Sequence, residues 1–146
     1  MRNYGQIQAL GNFLNCVEFT YFCTFTTRKP ITIASTRRIA ENVAKHVDAG
    51  RSTSMFWAAE KFDVREGYHF HALLETVIHA MDIFDWYYPR YGRCQIIDNR
   101  LPDRQQQASY YCAKYVTKQL ADYDIYFSET IKKRHQIALI QPEKRL

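Results

Sequence analysis

Two short runs in this chain carry side chains suited to work on a phosphodiester. The first is Tyr110-Tyr111-Cys112-Ala113-Lys114-Tyr115-Val116-Thr117-Lys118. On a helix, Tyr111, Lys114, Tyr115 and Lys118 recur at i, i+3, i+4 and i+7 and share one face. Cys112, Val116 and Leu120 form the adjoining apolar stripe that anchors the helix on a core. A phenol oxygen can attack phosphorus and stay attached, while a neighbouring ammonium holds the non-bridging oxygens or stabilises the phenolate. A free tyrosine titrates near pH ~10, so nearby cations matter for ionising it at neutral pH. Tyr110 lies about 100° away around such a helix and is expected to pack or to stack on a base.

The second run is His69-Phe70-His71. Side chains two apart on a strand point to the same side, so both imidazoles can reach one cation. If the chain turns through Asp63 to Glu66, Phe62 faces Gly67 and Glu60 sits opposite His69. Two nitrogens and one carboxylate then converge, with a face left for water and a phosphate oxygen. That donor set suits Mn2+ or Mg2+ and also accepts zinc; since magnesium prefers oxygen, the imidazoles tilt the preference toward manganese. His46, His79 and His135 lack such company and are expected to be structural or exposed.

The elements that must position these groups follow from periodicity. Val17 to Thr27, dense in β-branched and aromatic residues, predicts an inner strand. Arg28 and Lys29 stand at its exit. Ser35 is placed to cap a helix running to about Ala49, with Ile39, Val43 and Val47 inward and Gly50 as a stop; Arg37, Arg38 and Lys45 line its polar side. Ser54 to Phe62 and Tyr68 to Glu75 predict a hairpin. Thr76 to about Tyr88 predicts a helix buried through Val77, Ile78, Met81 and Phe84 and closed by Pro89 and Gly92. A short strand at Arg93 to Asp98, a turn at Asn99 to Pro102, the tyrosine helix from Asp103 to Leu120 and an edge strand at Ile125 to Ser128 complete the pattern. The economical architecture is α+β, an antiparallel sheet carrying helices. Residues 1–131 are expected to form one domain, and the basic stretch 132–146 a mobile tail.

Composition fits this chemistry. The 146 residues suffice for one domain with its own core. With 11 Tyr, 9 Phe and a net charge of +5, the chain suits an anionic partner that contains rings, and nucleic acid is the simplest. Arg28, Lys29, Arg37 and Arg38 are the candidate DNA contacts, chosen for charge near element ends. Cys16, Cys23, Cys94 and Cys112 form no CxxC pair and are expected to be reduced, mostly buried thiols in a cytoplasmic protein. No window is apolar enough for a membrane span or a signal peptide.

In order along residues 18 to 120, Phe22-Cys23-Thr24-Phe25-Thr26, His69-Phe70-His71 and Tyr111 to Lys118 resemble the three motifs of the HUH endonuclease superfamily. The last has the tyrosine-x-alanine-lysine-tyrosine-x-x-lysine form of two-tyrosine rolling-circle replication initiators (Rep proteins) of small single-stranded DNA phages. This resemblance implies a five-stranded antiparallel sheet with flanking helices, histidines on the central strands and the tyrosine helix packed across from them. It further implies metal-dependent nicking of single-stranded DNA at an origin or hairpin. One tyrosine keeps the 5′-phosphate, and a free 3′-hydroxyl primes synthesis. Tyr111 matches the first tyrosine and Tyr115 the second, and the two alternate as nucleophiles; Lys114 and Lys118 match the interleaved lysines. No Gly-rich nucleotide loop is present, so a host helicase, along with a polymerase, is an expected partner. A transposase or relaxase with the same chemistry, a noncatalytic single-strand binder in which the tyrosines only stack, and a metal hydrolase using water as nucleophile are the competing readings.

Overall fold

A computed structural model of the chain describes residues 12, 17–48, 53–99 and 122–127. These form five strands and two helices: β1 (Tyr21–Phe25), α1 (Ile33–Val47), β2 (Ser54–Lys61), β3 (Tyr68–Glu75), α2 (Ala80–Arg90), β4 (Cys94–Asp98) and β5 (Tyr123–Phe127). The strands make one antiparallel sheet in the order β4-β1-β3-β2-β5, so the class is α+β. The strand carrying both histidines, β3, is in the middle. No described helix is long and apolar enough to cross a membrane.

Both helices lie on the same side of the sheet. Phe25, Trp57, Phe70, Ala72 and Leu74 alternate onto that face and pack against Ile39, Ala40, Val43, Ala44 and Val47 of α1 and Ile83 and Tyr87 of α2. On the opposite face the described buried cluster is smaller: Val17, Phe19, Phe56, Ala58 and Leu73. His69 and His71 share this second face with Thr24, Ala58 and Glu60, as the strand registers dictate.

Several boundaries differ from expectation for local reasons. β1 is shorter than the β-prone run, because Thr20, Thr26 and Arg28 already bond outside the ladder, Thr20 N–H donating to Leu74 O and Thr26 N–H to Arg93 O. Helix α1 begins earlier than Ser35 suggested: Thr32 is the cap, its Oγ1 accepting from Ser35 N at 3.1 Å. Ser35 instead sits inside the first turn. Its expected inward residues Ile39, Val43 and Val47 are all buried.

Helix α2 departs further. It starts at Ala80, capped by His79, whose Nδ1 accepts from Met81 N at 3.1 Å. Before it, Thr76 Oγ1 accepts from Ile78 N and donates to Val47 O, and Tyr21 Oη donates to Ile78 O, which holds residues 76–78 out of the helix. The buried face is therefore Ile83 and Tyr87, whereas Val77 and Met81, expected inside, are 72% and 56% exposed. Pro89 does not close the helix but sits within its last turn, where the one hydrogen bond it cannot donate is lost close to the natural end. The expected helix from Asp103 to Leu120, the turn to Pro102, Gly50, and the tail 132–146 all lie outside the described residues, as do Cys16 and Cys112. Cys23 is buried and Cys94 half-buried, and both are thiols.

Candidate metal centre

The hairpin register settles where Glu60 points. Gly67, at φ +98°, permits the tight reversal, and Phe62 N–H donates to Gly67 O at 3.1 Å. Pairing then runs Lys61 to Tyr68, Glu60 to His69 and Ala58 to His71. Gly67 is also pressed against the chain before α1; a Cβ there would stand 2.9 Å from Pro30 Cα.

Glu60, His69 and His71 converge through one oxygen. Glu60 Oε2 lies 3.0 Å from His69 Nε2 and 2.9 Å from His71 Nε2, and the three ligand atoms all fall within 4.8 Å of one another. Glu60 and His71 are buried and His69 is half-buried. His71 Nδ1 meets Thr24 Oγ1 at 3.1 Å. Phe22 stacks on His71 and Phe62 on His69, the latter with centroids 4.4 Å apart, so both rings are fixed in place by neighbours above or below them.

Burial keeps both imidazoles neutral at pH 7. It pushes His71 down to about 4, and it lowers His69, with the nearby His71 and Arg65 acting in the same direction and Glu60 opposing them. In that state each Nε2–H can donate to Glu60 Oε2, and the Thr24 hydroxyl donates to His71 Nδ1. A metal requires imidazoles free of the second proton, which this environment supplies. With the Nε2 lone pair turned to a cation, His71 Nδ1–H donates instead to Thr24 Oγ1, the outer contact that usually fixes such a ligand. The cluster is therefore competent to hold a divalent ion.

Of the other predicted site residues, the described ones are dispersed. Tyr111, Lys114, Tyr115 and Lys118 lie outside the described residues. Asp122, the first described residue after them, lies beside β2, where Ala59 N–H donates to its carbonyl at 2.8 Å, one position from Glu60. Arg28 and the exposed Lys29 follow β1 at the end of the sheet that carries His69. Arg37 is on the helix-covered face, above the Trp57 ring at 5.1 Å and paired with Asp122 at 2.6 Å and Asp124 at 3.0 Å. These carboxylates raise the Arg37 pKa and Arg37 in turn lowers that of Asp122. Arg37 is thus engaged by two carboxylates of its own chain while remaining partly exposed, tying α1 to β5. Arg38, on the same helix, is exposed and donates to Ser35 Oγ. His46 stacks on Trp86 at 4.3 Å, and His79 caps α2, both structural as expected.

Phe22 and Thr24 belong to the first motif and Phe62 to the turn of the hairpin, but the sequence assigns none of them a role at the metal; Thr24 comes to stand beside His71 through the pairing of β1 with β3. No protein-family model, curated protein or solved structure matches the chain.

Proposed function

We propose that this protein is a metal-dependent, site-specific endonuclease of the HUH type that nicks and rejoins single-stranded DNA, the chemistry that starts rolling-circle replication. The observation that carries the reading is the convergence of Glu60, His69 and His71 on the middle of a five-stranded antiparallel sheet. The motif order along the chain adds the nucleophiles. Manganese or magnesium is the proposed ion, with manganese favoured of the two because magnesium prefers oxygen donors and two of the three here are imidazole nitrogens.

A divalent ion bound there supplies charge withdrawal from the scissile phosphate. Glu60, His69 and His71 hold their donor atoms in place before substrate arrives, and the stacked rings of Phe22 and Phe62 keep bulk water from both imidazoles. The reading requires Tyr111 or Tyr115 to reach this face. The phenol oxygen forms a bond to phosphorus as the bond from phosphorus to the 3′ oxygen breaks, and the phenol proton ends on the departing 3′-hydroxyl. Lys114 and Lys118 favour the phenolate and the charged phosphate. The phosphotyrosine linkage conserves the bond energy, so the 3′-hydroxyl can attack it and reseal the strand without ATP.

The test is incubation of the full chain with labelled single-stranded oligonucleotides and manganese. A protein–DNA adduct that survives SDS is expected, and it should vanish in the Tyr111→Phe, Tyr115→Phe double variant. His69→Ala and His71→Ala should each lower nicking by more than about a hundredfold, since even outer-contact losses at metal sites cost 10–100-fold, while DNA binding persists. Cleavage without any adduct would replace this reading with hydrolysis by water. Binding without cleavage would leave a noncatalytic single-strand binder.

A further inference from the structure

A second concavity lies at the same end of the sheet, between the exit of β1 and the loop that joins α2 to β4. Its volume is about 340 Å³, its wall carries Arg28, Arg65 and Arg93, and among the described residues no carboxylate lines it. The frame is rigid. Thr26 N–H and Oγ1–H both donate to Arg93 O, Arg28 N–H donates to Tyr91 O, and Tyr87 Oη donates to Thr26 O. Gly92, at φ +148°, allows the two segments to touch; a Cβ there would lie 2.9 Å from Thr26 O.

The guanidinium groups are held in place without being neutralised. Arg65 Nη2 donates to Thr27 O at 3.0 Å, and its guanidinium lies over the Phe62 ring at 4.1 Å. Arg28 donates to Tyr88 O and lies over the Tyr88 ring at 5.1 Å. Arg93 is exposed and makes no ion pair with another described residue. The hydroxyls of Thr26 and Thr27 are spent on Arg93 O and Lys29 O, so recognition falls to the guanidinium forks. A carbonyl takes one of an arginine's five N–H donors and leaves the rest for an oxyanion. The ring of Phe62, against which Arg65 packs, stacks in turn on His69, so this pocket adjoins the metal centre.

We propose that the pocket between Arg28, Arg65 and Arg93 is a phosphate-binding subsite that grips a backbone phosphate of the single strand next to the one at the metal centre. The assignment to DNA rests on the endonuclease reading above; the anion site itself does not. Three paired-off charges would have made a structural cluster, but here three like charges share one cavity with no acid among its described lining residues. Planar guanidinium forks match a phosphate in two directions at once. Arg65 links the two sites, so a strand held here is positioned at the metal.

The test uses the full chain, metal-free in EDTA, so that binding is read without cleavage. Fluorescence anisotropy with a labelled oligothymidylate should show Arg93→Gln weakening affinity about tenfold at low salt. The salt slope should fall by about 0.7 for one lost phosphate contact. Arg93→Lys should restore the slope but only part of the affinity, since the ammonium lacks the fork. In the wild type, thymidine 3′,5′-bisphosphate should shift the Nε–Hε resonances of Arg28, Arg65 and Arg93, with unchanged circular dichroism confirming that the variants fold. If inorganic phosphate and the bisphosphate shift those resonances while oligonucleotide affinity is unaltered by Arg93→Gln, a free phosphate is the ligand and the DNA role is overturned. Unmoved resonances with unchanged affinity and slope overturn the site altogether. Loss of the SDS-stable adduct chemistry with the binding effects intact would sink the endonuclease reading and leave this subsite standing.

Discussion

On one face of the sheet, Phe25, Trp57 and Phe70 stack or meet edge-on beneath two helices, and Phe25 and Phe70 lie 4.7 Å apart with Tyr87 against Phe25. On the other, the same strands present Thr24, Glu60, His69 and His71, with a smaller apolar cluster farther along around Phe56 and Leu73. The first face gains stability from apolar area removed from water. The second buries a carboxylate and two imidazoles, groups that cost free energy to desolvate unless they satisfy each other or a cation. Glu60 does this by accepting from both rings through a single oxygen. His69 Nδ1 meanwhile is buried with no hydrogen-bond partner among the described residues. A face that carries such groups beside a well-packed one is where function is expected to reside, because packing alone would have chosen apolar residues there.

The contrast can be broken most severely from the packed side. Trp57→Ala should lower unfolding free energy by about 3–5 kcal/mol in urea titrations. A loss near 1 kcal/mol would mean the helices do not depend on that face. On the histidine face, Thr24→Val should leave stability nearly unchanged and weaken metal binding about 10–100-fold by calorimetry, because His71 loses the partner of its Nδ1. Equal affinity in that variant would show that Thr24 does not orient the ring.

Acid sharpens the comparison because burial holds both imidazoles of the histidine face below their ordinary value, as it also does His46 beside Trp86 in the helix layer. His71 stays neutral down to about pH 4 in the folded protein, whereas the unfolded chain takes up that proton near 6.5. The unfolded state therefore binds more protons between these values. On account of His71 the metal-free protein should lose stability as pH falls from 6.5 toward 4, by up to about 1.4 kcal/mol per pH unit from this group alone, with His69 and His46 adding in the same direction and no further change from His71 below that. NMR titration of the His71 ring checks it; a midpoint near 6.5 would mean the face is wet.

The smallest effect is expected at Arg37. Arg37→Ala should cost about 1 kcal/mol or less, reduced further by salt, because Arg37 and Asp124 are well exposed to solvent. Asp122 contributes through a pKa held below its ordinary value, so its share is present above the ordinary carboxylate range and fades as pH falls through the lowered value. DNA affinity should be unchanged, since Arg37 lies across the sheet from the histidines. A clear loss of DNA binding would return Arg37 to the DNA interface.

The hairpin was fully legible in the chain itself. A period of two and a turn from Asp63 to Glu66 leave one register, and that register alone puts Glu60 opposite His69. The inward stripe of α1 was legible for the same kind of reason, since Ile39, Val43 and Val47 repeat with the helix turn. Where two apolar stripes competed, as in α2, spacing could not choose between them. Hydrogen bonds from Thr76 and Tyr21 moved the start of the helix and with it the buried face.

What local pattern determined, then, was that each described strand and both described helices would form, though not where α2 starts or which of its faces is buried, and the pairing of two donors across one tight turn. Tertiary structure alone decided that Thr24 would reach His71 from 47 positions away, that Arg37 would be taken up by acids 85 and 87 positions on, and that Arg28, Arg65 and Arg93 would share a cavity. The reason is physical. A turn and a strand period are set by neighbouring backbone angles, whereas the order β4-β1-β3-β2-β5 is set by which faces bury the most apolar surface together, a quantity no single segment contains.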